Sequence, residues 1–237
     1  SMAQVYFKAD GLPHLHPSRE YMIYSLYQQL GIQAPCSGIV LLDNFRFGNS
    51  YNKAPFVVQA SQAVKGITGK KALKSKSKLA LDKDHYARQV LGALLTAPVD
   101  GKPDNFIVTE ISSDKYGWVG IDNDEAFQAP LLPDRVHLKS ILLFMDNITS
   151  KVPTLVSTML TYLDPSMVIF DWLIALLKQE RQYHSLQLSL AASGRDVIYT
   201  RRGGILPAQA TADLWQGLNL PFASFTSSIA GTVSVLL

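Results

Sequence analysis

The fold is most constrained by a helix followed by a hairpin near the middle of the chain. Asp82 is suited to cap a helix, an apolar stripe at helical spacing follows it, and Pro98 ends that stripe. Two apolar runs, 106–111 and 118–121, then flank a polar turn, which predicts a β-hairpin. Because a hairpin returns the chain to where it started, the loops before and after it should lie close together.

Both of those loops carry residues suited to metal and phosphate chemistry. Phosphoryl transfer needs a carboxylate that orients or deprotonates the acceptor hydroxyl, and oxygen ligands that hold Mg²⁺. Asp100 offers the carboxylate, and Asn105 and Asp122 offer oxygen ligands from the two sides of the hairpin. The same residue types are also ordinary turn formers, so each motif taken singly has a purely structural interpretation as well.

Two motifs carry a family resemblance. Residues 100–105 read Asp-Gly-Lys-Pro-Asp-Asn and match the D-x-K-P-x-N pattern of the protein-kinase catalytic loop at every fixed position. Residues 121–127 read Ile-Asp-Asn-Asp-Glu-Ala-Phe and resemble the Ile-Asp-Asn-Gly-x-Ala-Phe element of type II phosphatidylinositol 4-kinases. HipA-like kinases and actin-fragmin kinase share the same general plan. The chain thus resembles the atypical branch of the protein-kinase-like superfamily.

The resemblance implies roles for the matched residues. Asp100 would be the catalytic base, Asn105 a metal ligand and Asp122 the principal metal ligand, with ATP and Mg²⁺ or Mn²⁺ as cofactors. Two positions depart from the pattern. Pro98-Val99 replaces the His-Arg that precedes the base in most protein kinases, and Asp124 replaces a glycine. The extra carboxylate is either a further metal ligand or a sign of altered function.

The N-terminal part supplies further candidate residues. Lys8 ends a short apolar strand, as does the phosphate-binding lysine of kinases. Glu20 shares a helix face with apolar residues, so it should point inward and need a cationic partner, for which Lys8 is the candidate. The alternative is that both are solvated surface residues. The resemblance further makes 56–59 the strand leading to the hinge, with the backbone of Ala60 to Gln62 contacting adenine.

We therefore expect an α+β fold with two lobes, as in protein kinases. A small mixed N-lobe would cover residues 1–65, and a mainly helical C-lobe residues 66–237, with 66–78 linking them. The resemblance implies a glycine-rich hairpin before the lysine strand, and few residues precede Lys8, so the N-lobe looks truncated there. Further helices are expected at 135–147, at 154–163, from Asp164-Pro165 onward, and at 208–217.

The composition limits which classes of binding partner are expected. Of the 237 residues 47% are hydrophobic, but the most apolar run, 167–177, contains Asp171, is too short to span a bilayer and predicts a buried helix. The net charge is +3, with a lysine cluster at 70–78 that is either a solvated loop or a patch for an anionic partner. No nucleic-acid partner is expected, whereas peripheral membrane contact is compatible. The single Cys36 and the lack of a signal peptide favour a cytoplasmic protein.

Three functions remain open at this point. The first is a phosphotransferase acting on a protein or phosphoinositide hydroxyl, with ATP and a divalent metal. The second is a pseudokinase, an interaction module that keeps the fold and transfers nothing. The third keeps the site but transfers a nucleotidyl group. The five histidines show no spacing with Cys36 that suggests a zinc site.

Overall fold

A computed structural model describes residues 4–8, 18–42, 45–47, 50–52, 56–75, 79–123, 125–126 and 138–192. Within these residues eight strands form two three-stranded antiparallel sheets and a two-stranded ribbon, accompanied by five α-helices, so the predicted α+β class is confirmed. The strands are β1 Val5–Lys8, β2 Ser37–Leu42, β3 Phe45–Phe47, β4 Ser50–Asn52, β5 Phe56–Gln62, β6 Ile67–Thr68, β7 Phe106–Ser112 and β8 Lys115–Gly120. The helices are α1 Ser18–Gln29, α2 Gly69–Lys74, α3 Lys83–Thr96, α4 Thr154–Tyr162 and α5 Pro165–Ala192.

The first sheet has the order β1-β5-β2, so both edges of β5 are paired. Helix α1 packs between this sheet and α5, and its apolar residues form a core around Trp172 of α5. Trp172 is fully buried, and its indole Nε1 donates hydrogen bonds to the carbonyl oxygen of Met22 at 2.9 Å and to Ser25 Oγ at 3.0 Å. The long helix is thereby attached to the helix that carries Glu20.

The second sheet has the order β6-β7-β8 and contains the predicted hairpin. Asp82 Oδ1 accepts a hydrogen bond from His85 N at 2.9 Å, which confirms the predicted cap of α3. The strands extend further than predicted, since β7 reaches Ser112 and β8 begins at Lys115. Asp114 makes the tight turn between them with φ +62°, a conformation that aspartate tolerates better than most residues.

Several sequence expectations need correction. The helix expected at 135–147 is instead, over its described part, two short 3₁₀ helices, Ile141–Phe144 and Asp146–Thr149. The expected linker 66–78 contains β6 and α2, although 76–78 lie outside the described residues. The helix expected at 208–217 lies outside them entirely. Confirmed near their predicted positions are the strand that ends at Lys8, the strand at 56–59 and the two hairpin strands, together with the helices α1, α3, α4 and α5.

The apolar run in α5 is only half buried, so the prediction of a buried helix is partly wrong. Trp172 faces α1 and is inaccessible, whereas Phe170 is 57% exposed, because among the described residues one face of α5 meets the core around α1 and Phe170 lies outside that face. No single helix among the described residues is long and apolar enough to cross a membrane. Thr154–Tyr162 and Pro165–Gln179 together reach that length and composition, but they meet at an 83° bend.

Candidate active site

The loop between α3 and the hairpin is held from two sides. Helix α3 ends at Ala97 in the left-handed conformation, φ +42°, which turns the chain sharply toward Asp100. Gly101 then pairs with the segment around Ser140, donating its N–H to the Lys139 carbonyl at 2.9 Å and accepting from Ile141 N at 2.7 Å. The loop is therefore a fixed part of the fold.

Asn105 is buried at the end of this loop, with 7% of its surface exposed. Its Nδ2 donates to the backbone carbonyl of Asp100 at 2.7 Å and to the carboxylate Oδ2 at 3.2 Å. These two acceptors require the amide nitrogen on that side, so the carbonyl oxygen Oδ1 points away from Asp100. Among the described residues none donates a hydrogen bond to Oδ1. A buried amide oxygen in this state is available to a ligand.

Asp100 has a strongly cationic neighbourhood. Lys102 Nζ lies 2.5 Å from its Oδ2. Partial burial raises the pKa of Asp100, but hydrogen bonds from Lys102 and Asn105 and the positive charge of Lys139 hold that pKa below its usual value. The hydrogen bond to Asp100 in turn raises the pKa of Lys102. Asp100 is therefore ionised at neutral pH, as a general base must be.

The hairpin brings Asp122 beside Asn105. Phe106 pairs with Gly120 at the open end of the hairpin, and Ile121 N donates to the carbonyl of Asn105 at 3.0 Å. Asn105 and Asp122 consequently line one cavity. Its other lining residues are Tyr27, Gln89, Ala93, Pro98, Gly101, Phe106, Gly120, Asn123 and Leu142.

Tyr27 of α1 is a neutral residue of this cavity lining. Burial raises the pKa of Tyr27 to about 12, a hydrogen bond with Thr96 works in the opposite direction, and the negative charge of Glu20 adds to the rise. The phenol therefore stays protonated at neutral pH and adds no charge next to Asp122.

Lys8 and Glu20 reach the same place from the first sheet and from α1. Lys8 Nζ lies 3.9 Å from Glu20 Oε1, so the predicted ion pair is present, and Glu20 is 3% exposed, as its helix face predicts. Lys8 Nζ also lies 2.5 Å from Asp122 Oδ1. Glu20 Oε1 accepts a hydrogen bond from Asn123 N at 2.9 Å. The strand, the helix and the loop after β8 thus meet at three polar side chains.

Not every predicted site residue joins this group. Ala60 and Gln62 lie inside β5, where they pair with Phe7 and Val5 of β1, and neither lines the cavity. Contact of their backbone with adenine stays a prediction. Asp124 lies outside the described residues. In the described part of the chain no group of three His, Cys, Asp or Glu residues is placed to hold a metal ion.

Two contacts at this site were not among the predictions from the sequence. The hydrogen bond from Asn123 N to Glu20 joins positions 103 residues apart and leaves no trace in local spacing. The pairing of Lys102 with Asp100 could have been found, because the two side chains are two positions apart in one tight loop.

Comparison with known proteins adds no family to these observations. No protein-family model matches the chain, and the curated proteins contain no significant match to it. The family resemblance therefore depends on the two motifs alone, and the geometry above is independent of it.

Replacing Gly101 by alanine tests whether the loop is held as described. A Cβ at position 101 would lie 2.5 Å from the Lys139 carbonyl oxygen and 2.8 Å from Ser140 Cα, both backbone atoms that cannot move alone. We expect Gly101→Ala to lower the free energy of unfolding by about 1–3 kcal/mol in urea denaturation. Gly38→Ala is the control, since its Cβ would meet nothing within 4 Å. Equal stability of the two variants would contradict the pairing of 101 with 139–141.

Proposed function

We propose that this chain is an ATP- and divalent-metal-dependent phosphotransferase whose acceptor is a hydroxyl of a protein or of a phosphoinositide. One observation carries the proposal. The carbonyl oxygen of buried Asn105, to which no described residue donates, and the carboxylate of Asp122 belong to residues that line one cavity, with the ionised Asp100 hydrogen-bonded to Asn105. Base, amide ligand and carboxylate ligand are the parts that phosphoryl transfer requires.

The donor set fits a metal that is bound together with phosphate. Mg²⁺ keeps several waters and typically takes one or two carboxylates from the protein, the remaining ligands being phosphate oxygens. Asn105 Oδ1 and Asp122 provide one neutral and one anionic oxygen, which suits such a site and not an all-protein cage. When bound, the metal would supply positive charge that offsets the negative charge of the phosphates.

The chain's own residues take defined parts in the proposed reaction. Asp100 accepts the proton of the acceptor hydroxyl as that oxygen attacks the γ-phosphorus, and the bond from phosphorus to the β–γ bridging oxygen breaks, releasing ADP. Lys102, 2.5 Å from Asp100, places a cation next to the transferring phosphoryl group. Lys8 contributes positive charge to the α- and β-phosphates, and Glu20 orients Lys8.

The surroundings of the loop support an anionic acceptor, which favours the phosphoinositide alternative. Lys70 of α2 pairs with Asp104 at 3.0 Å, so the basic helix contacts the loop that carries the proposed base. Lys71 and Lys74 on the same helix are exposed. This cationic surface is also the part of the described chain best suited to peripheral contact with an anionic membrane.

A specific observation favours the pseudokinase alternative. Asp122, the residue expected to hold the metal, pairs with Lys8 at 2.5 Å. A lysine at that carboxylate would suit a module that keeps the site's shape without binding a metal. The same contact is compatible with an active enzyme if Lys8 yields to the metal.

Labelled ATP separates the alternatives. The full chain is incubated with Mg²⁺ or Mn²⁺, γ-labelled or α-labelled ATP, and either a protein mixture or phosphatidylinositol vesicles. We expect transfer of the γ-label only, and we expect Asp100→Asn to lower its rate about 10²–10⁴-fold, because a positioned general base contributes that much. Asp104→Asn, the same change in the same loop, should retain the rate to within about twofold, since an exposed ion pair contributes little.

Two results would contradict the proposal. Transfer of the α-label would identify a nucleotidyl transferase. A rise in melting temperature with ATP, but no label on any acceptor, would identify a pseudokinase. Folding of both variants is checked by circular dichroism, so that loss of rate is not confused with loss of structure.

A further inference from the structure

Lys8 lies between two carboxylates that belong to different elements. Its Nζ is 2.5 Å from Asp122 Oδ1, in the loop after β8, and 3.9 Å from Glu20 Oε1, on α1. The two carboxylates differ in their surroundings. The Glu20 side chain is 4% exposed and accepts a hydrogen bond from Asn123 N, whereas the Asp122 side chain is 40% exposed and lines the cavity. Of these two carboxylates, Lys8 lies closer to the one that is accessible to a ligand.

We propose that Lys8 is a built-in competitor of the divalent metal: in the nucleotide-free protein its ammonium group occupies the cation position at Asp122, and metal binding transfers it to Glu20. This inference rests on the proposed function insofar as Asp122 is taken as the metal ligand. It adds an order of events, because the Lys8 ammonium group must leave Asp122 before the divalent metal can bind there.

Charge repulsion favours the exchange. An ammonium group and a divalent ion held a few ångströms apart at one carboxylate repel each other strongly, so each weakens the binding of the other. Glu20 makes the exchange easy, because it is already near Lys8 and its position is fixed by the amide of Asn123. Lys8 therefore never loses a counter-ion when it gives up Asp122.

The competition predicts that loss of the Lys8 charge has opposite effects on metal affinity without nucleotide and on nucleotide affinity. Without nucleotide, removing the charge of Lys8 should strengthen metal binding, because the competitor is gone. With ATP present, the same change should weaken nucleotide binding, because a cation near the phosphates is lost. A lysine with a merely structural role would weaken both or affect neither.

The test measures Mn²⁺ binding to the full chain without nucleotide, from the amplitude of the free-Mn²⁺ electron paramagnetic resonance signal. We expect Lys8→Met to lower the Kd for Mn²⁺ about two- to fivefold relative to wild type, the size of effect that a partly exposed ion pair allows. Lys8→Arg keeps the competing charge and should bind Mn²⁺ like wild type. Lys115→Met, at the start of β8 on the hairpin, controls for the loss of one positive charge away from the site.

The outcomes distinguish this inference from the proposed function. If Asp122→Asn abolishes Mn²⁺ binding but Lys8→Met binds no more tightly than wild type, the competition is refuted and the metal site stands. If Asp122→Asn binds Mn²⁺ like wild type, with and without ATP, both the competition by Lys8 and the proposed metal site at Asp122 are refuted. A second measurement needs no change at Lys8. The side-chain ¹⁵N resonance of Lys8 should shift saturably when Mg²⁺ is added to wild type, and an unchanged resonance at saturation would refute the exchange.

Discussion

Asp122→Asn should lower kcat for phosphotransfer about a thousandfold, which corresponds to a loss of about 4 kcal/mol of transition-state stabilisation. The amide keeps the size and one oxygen of the side chain but removes the negative charge that a divalent metal requires. Asp122 is the only carboxylate among the described residues lining the cavity, so in that part of the chain no second carboxylate is present there to take over. The effect should appear in kcat as well as in the apparent affinity for metal-ATP.

The control for this prediction lies on the same hairpin. Asp114→Asn makes an identical chemical change in the exposed turn, where φ is +62° and asparagine is as well accommodated as aspartate. It should leave kcat unchanged, and both variants should show the thermal unfolding of a folded protein. If Asp122→Asn keeps more than about a tenth of wild-type kcat, the loss is too small for removal of a metal ligand, and Asp122 does not hold the metal.

Trp172→Ala should lower the free energy of unfolding by about 3–5 kcal/mol, the largest stability effect that we expect from a single substitution in this chain. Trp172 is fully buried in the core between α5 and α1, and the alanine variant leaves a large cavity there. It also removes the indole N–H that donates to Met22 O and Ser25 Oγ, so a part-buried and a buried acceptor lose their donor. Urea denaturation followed by circular dichroism measures the change.

Phe170→Ala is the matched control for Trp172. It removes another aromatic ring from the same helix two positions away, but that ring is 57% exposed. Its effect on stability should stay within about 0.5 kcal/mol. Similar effects at 170 and 172 would mean that α5 does not dock on α1 through the tryptophan. Because α1 carries Glu20, partial loss of the docking should also weaken ATP binding before the protein unfolds.

The central part of the chain could be predicted because its signals are local. The Asp82 cap, the apolar stripe of α3 and the alternating hairpin strands each lie within a few residues of one another. A hairpin then forces its two flanking loops together, which is why Asn105 and Asp122 could be expected at one site. The inward direction of Glu20 followed in the same way from its helix face.

Other features of the site and the fold depend on tertiary contacts, which local residue spacing does not predict. The contact of Lys8 with Asp122 joins positions 114 residues apart, and no pattern within either segment contains it. The helix expected at 135–147 is replaced, in its described part, because residues 139–141 pair with Gly101, and paired backbone groups cannot also make helical hydrogen bonds. Helix α2 did have a local signal, since Thr68 Oγ1 caps it by accepting from Lys71 N, but the lysine-rich composition obscured it.

The exposed face of α5 shows a further limit of sequence patterns. Apolar residues surround much of this helix, so hydropathy alone predicts burial on all sides. Burial depends on which neighbours are present, and among the described residues only the face that contains Trp172 meets a closely packed core.

The most direct test of the site is a crystal structure of the full chain with a non-hydrolysable ATP analogue and Mn²⁺, with anomalous data collected at the manganese edge. We predict one anomalous peak bonded to Asn105 Oδ1 and to the Asp122 carboxylate at about 2.1 Å, the distance that Mg²⁺ also adopts. The γ-phosphate should lie next to Asp100. A manganese peak elsewhere on the chain, or a nucleotide bound away from these three side chains, would contradict the account.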